Sequence, residues 1–165
     1  MKSFVLALIL LTYLPSVGFA QTFEQVRSVD YRDWNTALLR NRNGGRLFCA
    51  AETTNRDGTI FRLNFYRDGD AFLEVFNPSW RLRSGAARFS LLADDYRLDL
   101  RGQSWSNSVT HDFVDERNTL LLIGVIMEAN RLRVLNANGA PMGDFSLSGS
   151  SAALQALGDC NQGRF

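Results

Sequence analysis

From Tyr31 onward, apolar and polar residues alternate with a period of two, and turn residues interrupt them at short intervals. Tyr31 to Leu39, headed by Trp34, reads as a strand, and Asn41 to Gly45 as a turn. In Arg46 to Thr53, Leu47, Cys49 and Ala51 share one face and Phe48 and Ala50 the other. Cys49 therefore points with a core set. Asn55 to Gly58 is a second turn, of Asp-Gly type. Phe61, Leu63 and Phe65 then alternate with Arg62 and Asn64, the pattern of a half-buried antiparallel strand. After the turn at Asp68 to Asp70, strands are predicted over Ala71 to Phe76, Ser79 to Arg83, Arg88 to Leu92 and Tyr96 to Arg101. Trp105 falls in a further short strand or loop.

The period then changes. Asp115 to Asn130 is apolar nearly all round at its centre, with Asp115 or Asn118 placed to cap a buried helix and Asn130 to end it. Gly124 and the β-branched residues argue against helix, and periodicity alone does not decide the point. Arg131 to Leu135 and Met142 to Leu147 flank an Asn-Gly hairpin turn. Ser148 is placed to cap a last helix, Gly149 to Leu157, and Gly158 to end it. The expected fold is mainly β, an antiparallel sandwich or open barrel with one or two helices in the C-terminal third. Residues 21–165 read as a single β-rich domain whose first ten residues are a mixed lead-in.

The N-terminus changes the charge. Lys2, an apolar run from Phe4 to Leu14, Pro15, and small residues at Gly18 and Ala20 have the form of a cleaved secretory signal, residues 1–20. Lys2 is the only lysine, so its removal leaves 17 arginines against 17 acids and a formal charge of zero. No bulk positive field remains for nucleic acid. No integral membrane segment is expected after cleavage, and the location is periplasmic or secreted. In an oxidising compartment the two cysteines, Cys49 and Cys160, most simply pair. A metal site is poorly served by two distant cysteines and one histidine. No cofactor is expected.

Little in the sequence points to catalysis. His111 is the only histidine, near Ser104, Ser106, Ser108 and Asp112, but no nucleophile elbow is present. The acidic residues fall in turns, where turn chemistry accounts for them. The tryptophans read as core or half-buried packing. The best surface feature is a set of outward arginines, Arg81, Arg83, Arg97, Arg101, Arg131 and Arg133. On neighbouring strands these would form a stripe for an anionic glycan, a lipid headgroup or an acidic protein.

Several short motifs stand in order along the chain: Trp34, Cys49, then N-P-S-W-R-L-R-S-G, F-S-L-L-A-D, R-L-R-V-L-N and G-D-F-S-L-S-G-S-S-A-A-L. In this order the chain resembles the invasion-associated locus B family of exported alphaproteobacterial proteins. The resemblance implies a small, mainly β, periplasmic or secreted protein associated with invasion or the envelope, with no catalytic residue to carry over. The chain departs from that pattern in lacking a second, closely spaced cysteine pair. The resulting expectation is an exported non-enzymatic domain that binds an envelope component or a protein partner. An exported hydrolase or hydrolase inhibitor is the alternative.

Overall fold

The computed structural model describes residues 23–42 and 44–165, so the expected signal stretch lies outside the described residues. Among the described residues, ten antiparallel strands form one sheet that does not close. In chain order they are β1 (Phe23–Tyr31), β2 (Trp34–Asn41), β3 (Leu47–Thr54), β4 (Ile60–Tyr66), β5 (Ala71–Phe76), β6 (Gly85–Ala93), β7 (Tyr96–Ser104), β8 (Ser108–Asp112), β9 (Arg131–Asn136) and β10 (Pro141–Ser146). Helix α1 (Glu116–Glu128) separates β8 from β9, and α2 (Ser150–Asn161) follows β10. The spatial order is β1-β2-β3-β4-β5-β8-β7-β6-β9-β10. The mainly β expectation is met, and of its two architectures the open one is found: a single unclosed sheet with two helices.

One face of the sheet holds the core. Trp34, Phe61, Leu63, Leu73, Leu91, Val134 and Phe145 are buried there, together with Ile126 of α1 and Leu154 and Leu157 of α2. Each such side chain contributes about 1.5–3 kcal/mol on leaving water. The sheet curls so that its last strand returns to its first turn. Trp34 Nε1 donates to Ser146 O at 3.1 Å, and Asp33 N to Ser148 O at 3.2 Å. Gly102 permits the join between β7 and β8, because a Cβ there would lie 1.7 Å from the Thr110 carbonyl oxygen.

The C-terminal segment is stitched to everything around it. Ser150 and Ser151 donate their hydroxyls to Ile126 O (2.9 Å) and Met127 O (2.6 Å) at the end of α1. Thr36 Oγ1 donates to Ala153 O at 2.9 Å, fixing α2 to β2. Cys49 and Cys160 form a disulfide with a Cα–Cα distance of 6.0 Å, joining α2 to β3.

Several local expectations are corrected. The mixed lead-in is strand β1, paired with β2 through a two-residue turn in which Arg32 takes φ 57°. Its register shifts between Gln25 and Arg27, which blurred the alternation. Residues 79–83 are an irregular connection after Pro78, and their Trp80 and Leu82 pack half-buried on the core. Trp105 is 54% exposed at a turn, not packed inside. Asp115 does cap α1, accepting from Arg117 N and Asn118 N, but Leu120 and Leu121 stand exposed on a helix expected to be buried. Gly149, at φ 95°, is the N-cap of α2 in place of Ser148, and the helix runs through Gly158 to Asn161.

Candidate binding cleft on the uncovered face of the sheet

The face of β2–β5 that turns away from the helices is unusual for an uncovered surface. By register, Ala37, Ala50, Asn64 and Phe72 form one row across it, and Asn35, Glu52, Arg62 and Glu74 form the next. The small side chains of the first row leave a depression walled by larger ones. The result is a cleft of about 460 Å3 whose lining includes Phe48, Tyr66, Phe72, Glu52, Arg62, Asn64 and Glu74. Its floor is sealed from solvent: Phe48, Ala50 and Asn64 are each 1% exposed.

Arg62 is held between two acids. Its Nε donates to Glu52 Oε2 at 2.6 Å and its Nη1 to Glu74 Oε2 at 3.3 Å. Burial pushes the Glu74 carboxyl above its ordinary range, and the charge of Arg62 offsets this only in part. Loss of hydration likewise pushes the Tyr66 hydroxyl up. Arg46 lies over the Tyr66 ring, 4.0 Å from its centroid, and pairs with Asp68 and Asp70 at the edge of the cleft.

Asn64 is the odd member. Its Nδ2 is fully enclosed and forms no hydrogen bond among the described residues. Leaving such a group unmatched costs about 1–3 kcal/mol. A buried asparagine whose Nδ2 lacks a partner, on the floor of a cleft, is a feature that stability alone does not explain.

The Glu74 shift has a testable consequence. A carboxyl raised above its unfolded value of 4.5 stabilises the fold most below that pH, and the contribution fades as pH rises through the folded value. Wild type should therefore lose stability relative to Glu74→Gln as pH is raised from acidic to neutral. Urea midpoints of the two proteins across pH measure this. A difference that does not change with pH refutes the shift.

The expected arginine stripe is assembled in part. Arg97 and Arg133 both pair across strands with Leu92, so they share a face, and Arg101 and Arg131 follow at even spacing on β7 and β9. Arg81 and Arg83 do not join them on a strand. They lie on the connection before β6, where Arg81 Nη1 donates to Pro78 O and Trp80 O. Three of the four strand arginines are already paired: Arg97 with Asp99 at 2.9 Å, and Arg131 and Arg133 with Asp144 at 2.8 and 3.5 Å. The Asp99 carboxyl is held below its usual range by Ser90 and then Arg97.

His111 stands on β8, not on a surface loop. It lines a separate cavity of about 370 Å3 together with Asp112, Asp115 and Thr119. Its Nδ1 donates to the Arg101 carbonyl at 2.7 Å, and its ring meets Phe113 edge-on. The Asp115 carboxylate is engaged in capping α1, and no serine or cysteine lines this cavity. The arrangement has no activated nucleophile of the Ser-His-Asp kind. Among the described residues, no group of three His, Cys, Asp or Glu is placed to hold a metal ion, and no helix is long and apolar enough to cross a membrane.

Sequence reading missed the cleft because its polar members looked like the solvent face of an ordinary strand. The available signal was Phe48, Ala50 and Phe72, large and small apolar residues on the face that should have been polar.

The fold has a known counterpart. It is similar to that of invasion associated protein b from Bartonella henselae. The two superpose with a TM-score of 0.56 at 14% identity, covering 82% of this chain and 99% of that one. The likeness is one of fold and agrees with the resemblance read from the motifs. No family model matches the chain, and no curated protein matches it by sequence.

Proposed function

We propose that this chain is an exported, non-enzymatic binding domain that receives an apolar group of an envelope component or protein partner in the β2–β5 cleft. The observation that carries this reading is Asn64, whose Nδ2 has no partner among the described residues, at the floor of a cleft that neither described helix covers. The disulfide and the likeness to an invasion-associated protein support export to the periplasm or beyond. An association with invasion rests on the fold likeness alone. The arginine face is the weaker surface, because Arg97, Arg131 and Arg133 are occupied by acids of the same sheet.

Site-specific photocrosslinking in cells tests the reading. A photoreactive residue at Ile60, in the cleft lining, should give a discrete adduct, and Asn64→Leu should abolish that adduct in a folded protein. The same residue at Arg101 or Arg133 should give none. Adducts only from the arginine positions would move the site to that face, and none from Ile60 would remove the cleft.

A further inference from the structure

We infer that the cleft recognises an uncharged, extended polypeptide segment, taking one large apolar side chain into the cavity and that residue's backbone N–H and C=O onto Asn64. The inference rests on the binding reading above and names its ligand class. Three observations carry it.

The first is charge. Glu52 and Glu74 face one guanidinium, so an anion entering the cleft meets two carboxylates and a cation meets Arg62. A neutral group avoids both penalties. Arg62 uses two of its five N–H donors on the acids, which leaves donors for a neutral carbonyl.

The second is the aromatic arrangement. Phe48 and Tyr66 stack at 4.8 Å, Tyr66 and Phe72 stack at 6.1 Å, and Arg46 lies over Tyr66. These rings spend their faces on one another and on a guanidinium. A sugar platform needs an open ring face, whereas an apolar side chain needs only apolar walls.

The third is the Asn64 side chain: its Nδ2 has no hydrogen-bond partner among the described residues, and the same amide carries an acceptor oxygen. The N–H and C=O of one extended residue point to the same side of the strand, the pairing that antiparallel neighbours exchange. An asparagine amide can meet both at once. A fatty acyl ester supplies the acceptor without the donor.

The test uses the 15N-labelled protein purified after export, titrated with defined probes. N-acetyl-phenylalanine methylamide should shift the Asn64 side-chain NH2 signal saturably. Methyl 3-phenylpropionate, which lacks the N–H, and the N-acetyl-phenylalanine carboxylate should each bind about tenfold more weakly, the loss of one good hydrogen bond or the addition of one repelled charge. Methyl glucoside and phospholipid vesicles should leave the signal unmoved. Asn64→Leu and Asn64→Ala, each shown folded by its amide spectrum, should bind the methylamide at least tenfold more weakly. Equal binding of the ester, unchanged affinity in both variants, or a stronger response to glucoside or vesicles would overturn the peptide assignment. If the Ile60 adduct forms while the methylamide leaves Asn64 unmoved, the ligand class fails and the binding reading stands. If neither occurs, both fail.

Discussion

Reducing the Cys49–Cys160 bond should lower the unfolding free energy by about 2–5 kcal/mol, read as a fall in urea midpoint with little change in slope. The sequence separation is 111 residues. A cross-link of that span removes roughly 5 kcal/mol of chain entropy from the unfolded state in the loop-closure model. Compactness of the reduced, unfolded chain lowers the figure. Both sulfurs are buried between β3 and α2, so the reduced native state must also hold two thiols in a space shaped for one bond. Marginal stability makes such a loss large in relative terms. An unchanged urea midpoint after complete reduction would show that packing of α2 alone holds the end of the chain.

Gly149→Ala should be nearly as damaging. The residue sits at φ 95°, and a Cβ there would lie 1.9 Å from the Tyr31 carbonyl oxygen. Left-handed backbone costs an alanine about 1–2 kcal/mol, and overpacking adds about 1–3 kcal/mol. The strain also falls where the chain leaves β10, between the contact of Asp33 with Ser148 and the hydroxyl bonds of Ser150 and Ser151. Thermal denaturation with the disulfide intact checks this. A melting temperature within about 1 °C of wild type would mean that the Tyr31 turn moves aside freely.

The period-two runs from Trp34 to Phe76 were legible because each buries one face against a single core, and that constraint writes itself into the alternation. The helix at Asp115 was legible from its cap. β1 was obscured because it has one neighbour and a register shift, so it carries little apolar signal. β8 has five residues and owes its place to pairing with β5, which local sequence does not encode. Ser148 looked like a cap by residue type, yet the approach of Tyr31 required a glycine at that point, and geometry overrode propensity. The candidate site was the least legible part. Arg62 and Asn64 look like solvent residues in a linear reading, and only their row partners on β3 and β5 reveal a sealed floor.

With two cysteines in the whole chain, the molecule has one possible internal bridge and no scrambled isomer. It therefore needs an oxidant but no isomerase. The hazard is one of timing: Cys49 emerges more than a hundred residues before its partner. In the interval its thiol is open to mixed disulfides, among them a covalent dimer with another nascent chain. A high local concentration of unfinished chains would favour that dimer, and slower synthesis would suppress it.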